Sequence, residues 1–594
     1  MNSIPARLRR NGTDPKYKSR IGYGYKKGIE WILCSFEEYY RETLLAAKSL
    51  YSFGVTKGKS VSILSFNRPE WVICDVACMM VGGIPAGIYQ TCSSQEVQYI
   101  VEHSESSVVF IENEEQWAKI ESLLERLPLL KHVIAFSEIN IEHPLLMSWT
   151  DFLKFGSEIT DETIHACIDD ITPDQPATFI YTSGTTGPPK AVMLSHNNLI
   201  FTADRAISIT SLQEDDCTLS YLPLSHIAEQ VFSIHGPISA AAAVYFAQSM
   251  ESLPENLVEI RPTVFFGVPR VWEKMYAKIQ EKLQMAPFLR KKTANWALGI
   301  GLQCAQIRNQ GKEPSGFLAI QYGLAKSLVF DKVKGLIGLS RARVCISGAA
   351  PISADILSFF SGLDIIIHEV YGQSEDCGPT TFNQPGNTKF GSVGTAFPNV
   401  EVKIADDDEI LVRGENVFLG YYKDEEATQA TVIDGWLHSG DLGRFDDDGF
   451  LRIIGRKKEI IITSGGKNIA PQNIEAALRD IPLLSQAIVI GDNRPYLVAL
   501  ITLESSAVDL FCSQKGLPLS LVHENSTIIE NIHKSIEEVN TSFARVEQVR
   551  KFAILPRDFL IEEQELTPTL KLKRSNIARN WAPKIDELYS TDPV

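Results

Sequence analysis

Short apolar runs that each stop at a polar or glycine-bearing loop, with helical stretches between them, constrain this chain more than any other feature. Residues 61–66, 87–89, 107–111, 177–181, 343–347 and 364–368 are such runs, most of them rich in Val and Ile. Between them, residues 36–51, 71–80 and 94–102 read as helices. Strands alternating with helices build a layered, mostly parallel α/β sheet. In an open parallel sheet, ligands sit beyond the carboxyl ends of the strands. Three such ends, at Tyr181, Ser347 and His368, can therefore converge on one ligand.

The first end runs into residues 181–190, Tyr-Thr-Ser-Gly-Thr-Thr-Gly-Pro-Pro-Lys. Small residues let backbone N–H groups approach an anion, and hydroxyls add donors. Thr182, Ser183, Gly184, Thr185, Thr186, Gly187 and Lys190 thus read as a polyphosphate-holding loop, with a plain Ser/Thr/Gly turn as the alternative. A Walker loop needs Gly, four residues, then Gly-Lys-Ser/Thr. Here two prolines separate Gly187 from Lys190 and Ala191 follows, which disfavours a P-loop ATPase or kinase.

At 594 residues the chain exceeds a single core and is expected to form several units. From about residue 391 the runs shorten: 393–398, 400–405, 409–413 and 435–441 suggest a small β-barrel or meander. A new α/β unit follows the charged stretch 456–458. The expected division is an N-terminal domain over residues 1–455, a hinge at 456–458 and a small mobile α+β domain over 459–594. Residues 114–175 are less regular and are expected to hold surface helices and a linker.

A net charge of −16 speaks against broad nucleic-acid binding while leaving room for a local basic groove. The 10 cysteines include no Cys-x-x-Cys pair, and Cys74 and Cys78 lie among apolar residues. Free thiols in a reducing, cytoplasmic setting are expected, with neither disulfides nor zinc. Residues 71–89 are interrupted by Asp75, Gly82, Gly83, Pro85 and Gly87, so they read as a buried helix and strand instead of a membrane span. Any membrane contact is expected to be peripheral.

Further along stand Tyr-Gly-Gln-Ser-Glu (371–375), Ser-Gly-Asp (439–441), Gly-Arg-Lys-Lys-Glu (455–459) and Pro-Thr-Leu-Lys-Leu-Lys-Arg (568–574). Together with 181–190, and in this order, they resemble the adenylate-forming superfamily of acyl-CoA synthetases, nonribosomal adenylation domains and luciferases, over residues 30–585. Residues 267–274 and 434–441, with the long helical section after the former, resemble long-chain fatty acyl-CoA synthetases. Residues 224–230 and 464–471 are similar to the bubblegum-type branch.

The resemblance implies ATP, Mg²⁺ and CoA, and a long-chain fatty acid that is converted to acyl-AMP and then to acyl-CoA. Transfer to a carrier protein, or a non-catalytic lipid- or nucleotide-binding scaffold, stays open, as does the oligomeric state. Glu375 and Thr185 are implied to hold Mg²⁺, which favours few carboxylates plus phosphate oxygens. Adenine is implied to stack on Tyr371, with Gly348 and Ala349 leaving room, Glu369 accepting from its amino group, and Gly372 and Ser374 in the same motif. Asp441 can accept from both ribose hydroxyls. Arg456 is implied to bind ribose or phosphate oxygens.

Lys571 matches the lysine that neutralises charge as the carboxylate attacks the α-phosphate, although Leu570 stands where the family usually has glycine. Lys458 matches the hinge. Gly465, Gly466 and Lys467, after Ser464, would let the pantetheine arm pass once the C-terminal domain has turned. His226 matches a residue near the acyl carboxylate and the CoA thiol, with a satisfied core histidine as the alternative. Some long-chain enzymes have a tryptophan gate shortly after this histidine, where this chain has Gln230. The acyl tunnel is expected from Phe265, Phe266 and the helices after Trp272.

Overall fold

Every residue of the strands Ser60–Leu64, Ile84–Ile88 and Val108–Ile111 is buried, the signature of a sheet covered on both faces. The computed structural model describes residues 2–182, 188–464, 467–567 and 571–590. Its largest sheet has eight strands. Six run parallel in the order Pro176–Thr182, Ile84–Ile88, Ser60–Leu64, Val108–Ile111, His132–Ala135, Leu146–Ser148. Lys190–Ser195 and Gly420–Tyr421 extend it antiparallel. Trp71, Val72 and Tyr39 fill the core on one face, and Val97, Ile100 and Trp117 on the other. Cys74 and Cys78 are wholly buried there as small core residues.

Residues 114–175 therefore hold more than surface helices and a linker. They add His132–Ala135 and Leu146–Ser148 to the main sheet, strands of 4 and 3 residues that are too short to show a period.

A second sheet joins Val264–Gly267, Val344–Ser347 and Ile367–Tyr371 in parallel, then Thr381–Phe382 and Thr395–Ala396 antiparallel. Phe266, Ile346 and His368 stand in register and share a face. Phe265, Cys345 and Ile367 share the other face and pack with Trp272 and Phe360. The apolar run at 364–368 starts its strand only at Ile367, because Asp364 has φ +60° in a turn held by Arg308 and Lys334. The third strand end is consequently Tyr371, not His368. A further sheet pairs Cys217–Ser220, Ala243–Phe246 and Ile21–Lys27 in parallel, and Glu30–Ser35 antiparallel to the last.

Beyond residue 400 an antiparallel sheet runs Glu401–Ile404, Glu409–Arg413, Trp436–Phe445, with Val432–Ile433 and Leu451–Arg456 on the far edge of the long strand. The expected barrel is not closed. Glu401–Ile404 is a free edge with every second residue exposed, so this part is an open meander with one solvated side.

The C-terminal sheet consists of Leu484–Ile490, Leu497–Leu503 and Val549–Ile554. Ile474, Ile528 and Ile532 cover one face, and Ile577 and Ile585 the other. Arg270 ties this unit to the larger part, donating at 3.0 Å to both Ser485 Oγ and Glu504 Oε2.

Candidate active site

The hairpin Pro176–Thr182/Lys190–Ser195 sets Thr182 opposite Lys190 at the base of the glycine loop. Ser183, Gly184, Thr185, Thr186 and Gly187 lie outside the described residues. The Lys190 ammonium pairs with Asp424 at 3.1 Å and sits 4.9 Å from the centre of the Tyr421 ring. Tyr421, brought in by the edge strand Gly420–Tyr421, donates its hydroxyl to Glu375 Oε1 at 2.7 Å. Glu375 belongs to the 3-10 turn Ser374–Asp376, with Ser374 buried at its start. Glu375 thus stands at the hairpin's base with one carboxylate to offer. Among the described residues no three His, Cys, Asp or Glu side chains gather as a metal cage. A lone carboxylate suits a magnesium ion shared with nucleotide phosphates.

Strand alternation sends Glu369 and Tyr371 to one side of Ile367–Tyr371 and Val370 to the other. The Tyr371 hydroxyl donates to Asp441 Oδ2 at 2.9 Å, and Arg456 Nε donates to Asp441 Oδ1 at 2.8 Å. Asp441 and Arg456 are cross-strand partners, and the Asp441 N–H is held by Ser439 Oγ at 3.0 Å. Burial, then the Asp441 charge, pushes the Tyr371 phenol well above its ordinary range and keeps it a donor. Asp441 in turn raises the pKa of Arg456 and holds it charged.

Glycine is dictated at two points beside this pair. A Cβ on Gly348 would come within 2.5 Å of Val370 Cγ1, and one on Gly372 within 1.5 Å of the Gly378 carbonyl oxygen. Ala349 completes the turn at φ +69°. Burial pushes Glu369 up to about 8, and its Oε2 accepts from the Gly391 N–H at 3.1 Å. That oxygen already has a protein donor.

Lys571 is held by its backbone. Its N–H donates to Thr567 Oγ1 at 3.0 Å, its carbonyl accepts from the Thr567 N–H at 2.8 Å, and Leu566 bridges Leu572. Behind this loop the fully buried Glu565 accepts from Arg557 at 2.6 Å and Trp581 Nε1 at 2.8 Å. Lys571 is exposed, yet protein groups crowd around its ammonium. That crowding lowers its pKa, Arg456 lowers it further, and Asp441, Glu459 and Glu375 act in the opposite sense. Lys571 of the C-terminal unit is therefore within electrostatic reach of Arg456, Asp441, Glu459 and Glu375.

His226 faces the same charge. Burial, then Lys571, pushes it down to about 3. It caps the helix Ile227–Gln230, with Nδ1 accepting the Ala228 N–H at 3.2 Å. The neutral ring must then carry its proton on Nε2, so His226 offers a donor and not a base. Lys458 and Lys467 are exposed, and among the described residues neither has a side-chain hydrogen bond or ion pair to this cluster. Gly465 and Gly466 lie outside the described residues.

On the Val370 side of the sheet lies an apolar slot lined by Ile209, Leu212, Val231, Phe232, Val264, Ile346, Val370, Phe382 and Phe397. Phe232 lies on the π-helical turn Val231–His235 and stacks on Phe266 at 4.6 Å. Of the two phenylalanines expected to line an acyl tunnel, Phe266 stacks on Phe232 beside this slot, whereas Phe265 packs with Trp272 in the core on the opposite face.

Three features were not foreseen. Tyr421 orients Glu375, and Arg270 latches the C-terminal unit. Glu229 accepts from Ser220 Oγ and Ser233 Oγ, each at 2.7 Å, and fixes the His226 helix to the neighbouring strand. An acid inside the apolar run 227–234 was the available signal for Glu229.

Residues 20–422 match the family model for AMP-binding enzymes, and residues 458–593 match that for the AMP-binding enzyme C-terminal domain. The chain belongs to the AMP-binding enzyme family. Within this family it is 38% identical over 609 residues to the long-chain-fatty-acid–CoA ligase ACSBG2 of Xenopus laevis, covering 97% of this chain and 82% of that protein. It is 36% identical to the ligase ACSBG1 of Rattus norvegicus, over 97% of this chain and 84% of the relative. These are bubblegum-type ligases, the branch that residues 224–230 and 464–471 resemble. Among solved structures, the anthranilate CoA ligase AuaEII with anthranoyl-AMP shares the fold at a TM-score of 0.71 and 19% identity, covering 97% of each chain. The o-succinylbenzoate CoA synthetase MenE of Bacillus subtilis with its acyl-adenylate does so at 0.70 and 21%, over 96% of this chain and 97% of the other.

Proposed function

We propose that this AMP-binding enzyme activates a long-chain fatty acid with ATP and transfers the acyl group to CoA. The observation that carries the reading is the hydrogen-bonded set Tyr371–Asp441–Arg456, with Lys571 in electrostatic reach of Asp441 and Arg456 and an apolar slot on the other side of the strand that bears Tyr371. The relatives named long-chain-fatty-acid–CoA ligases support the substrate class.

In the first step a carboxylate oxygen attacks the α-phosphorus, a phosphorus–oxygen bond to pyrophosphate breaks, and acyl-AMP forms. Asp441, held open by Arg456 and Tyr371, accepts from the ribose hydroxyls. Lys571 neutralises the charge that builds on the attacked phosphoryl group. Glu375 and Thr185 would hold Mg²⁺, which when bound screens the phosphate charge. The hairpin loop between Thr182 and Lys190 holds the departing pyrophosphate. In the second step the CoA thiol gives up its proton to solvent, the sulfur attacks the acyl carbon, the carbon–oxygen bond to the phosphate breaks and AMP leaves. His226 Nε2–H donates to the acyl oxygen.

Residues 459–594 act as a domain that turns about 456–458 between the steps, bringing Gly465, Gly466 and Lys467 to the cleft in place of Lys571. No helix among the described residues is long and apolar enough to cross a membrane, so contact with lipid is peripheral in this reading. The free cysteines suit a cytoplasmic enzyme. Pyrophosphate release and acyl-CoA formation, followed with and without CoA, test the reading. Acyl-AMP made from long-chain acids but never passed to CoA would favour a carrier-protein acceptor.

A further inference from the structure

The helical lobe after Pro269 carries an anomaly that the chemistry of the cleft does not use. Gly316–Ala325, Lys326–Phe330 and Asp331–Leu336 form one continuous helical run. Its first ten residues, Gly-Phe-Leu-Ala-Ile-Gln-Tyr-Gly-Leu-Ala, hold no charge. A helix apolar all round belongs in an interior. This one is packed on one side only, where Tyr322, Ala325 and Phe330 meet Ala297, Ile300 and Cys304. On the other side Phe317, Ile320, Leu324 and Leu328, at helical spacing, are 74%, 64%, 55% and 48% exposed. On the same lobe Phe288 and Leu289, at the start of Phe288–Arg308, are more than three-quarters and three-quarters exposed, at 78% and 75%.

The charge around this face says what covers it. The chain as a whole is at −16, yet residues 269–342 hold 13 Lys and Arg against 4 Asp and Glu. Lys282, Arg290, Lys291, Lys292, Lys326 and Lys332 are exposed, and among the described residues none of them is ion-paired. Exposed apolar side chains and unpaired cations on one lobe match an anionic lipid surface, where the apolar groups enter the acyl boundary and the cations meet headgroups. A second copy offering the same face would set these like charges against each other.

We propose that this lobe docks the enzyme on anionic membranes, with Phe317, Ile320, Leu324 and Leu328 inserted and Arg290, Lys291 and Lys292 on the headgroups. The purpose of docking rests on the fatty-acid reading, since long-chain acids dissolve in bilayers. The binding itself is measured without substrate, so the two readings fail separately.

The test is co-sedimentation of the full chain with vesicles of phosphatidylcholine alone and of phosphatidylcholine with phosphatidylserine. Wild type is expected to bind the second and largely ignore the first. Phe317→Glu with Leu324→Glu lowers partitioning on the order of 100-fold. Arg290→Gln, Lys291→Gln and Lys292→Gln together also lower it on the order of 100-fold, at about five-fold per cation. The charge variant keeps every apolar contact, so it reports docking even where the first variant folds poorly. Both variants retain acyl-CoA formation on detergent-dispersed acid. Three results would overturn the proposal: no binding to phosphatidylserine vesicles, variants that bind like wild type, or a wild-type dimer that Phe317→Glu and Leu324→Glu turn into a monomer.

Discussion

Asp441 and Arg456 face each other across adjacent antiparallel strands, and Arg456 Nε donates to Asp441 Oδ1 at 2.8 Å. The Tyr371 hydroxyl holds the other oxygen at 2.9 Å. The carboxylate is thus fixed before any nucleotide arrives, and each oxygen keeps a lone pair for a ribose hydroxyl. Arg456→Lys removes the planar fork and leaves the charge. It is expected to raise the KM for ATP at least ten-fold, and Asp441→Ala to cost more, on the order of 100-fold in kcat/KM for ATP. Steady-state kinetics at varied ATP check both, and an unchanged KM in Asp441→Ala would contradict this role.

In the proposed reaction Lys571 serves the first half-reaction and not the second. Lys571→Ala is expected to slow acyl-AMP formation on the order of 100- to 1,000-fold, the cost of losing one charge-stabilising donor in a water-poor site. Acyl-CoA formation from supplied acyl-AMP should fall by less than about three-fold. Single-turnover assays of each step measure the difference. Equal losses would remove Lys571 from the first step alone.

Much of this arrangement was legible in the residues, but only one element at a time. The strand–helix alternation announced a parallel sheet, and the strand Glu409–Arg413 falls where its apolar pattern put it. Asp441 and Arg456 each carried a motif, yet their pairing is a matter of strand register, which no local pattern encodes. Tyr421 lies 46 residues from Glu375 and stands in no recognisable motif. The residues left a barrel and a meander open, because closure depends on whether an edge strand finds a partner, and among the described residues Glu401–Ile404 pairs with Glu409–Arg413 alone. Phe265 and Phe266 are alike in composition yet point to opposite faces, so no local pattern tells which of them reaches the slot beside Phe232.

Glu229 should leave a mark on stability. Burial pushes its carboxyl up to about 8 from an ordinary 4.5. The folded chain then keeps a proton that the unfolded chain has lost, so stability is fully present below about pH 4.5 and falls as pH rises towards 8. Glu229→Gln removes that proton from the balance. The fall in Tm between pH 5 and pH 8 is expected to be shallower in the variant, while the other carboxyls that burial pushes up, Glu369, Asp75 and Asp376 among them, sustain the remaining slope. Thermal melts at four or five pH values decide it, and parallel curves for wild type and variant would count against a buried neutral Glu229.

Arg270 reaches across to Ser485 and Glu504 of the C-terminal unit, the unit that bears Lys571. Arg270→Ala is expected to lower the rate of acyl-AMP formation several-fold and to leave thioester formation from acyl-AMP unchanged or faster. A loss confined to the second step would show that the latch serves the other arrangement.

The most direct measurement of the central claim is pyrophosphate release and acyl-CoA formation by the purified chain across saturated acids of graded length, with ATP, magnesium and CoA. Stoichiometric pyrophosphate and acyl-CoA are expected with long-chain acids, and weak turnover with short ones that leave the slot beside Phe232 and Phe266 empty. Release of pyrophosphate with no long-chain acid, or with short acids alone, would contradict it.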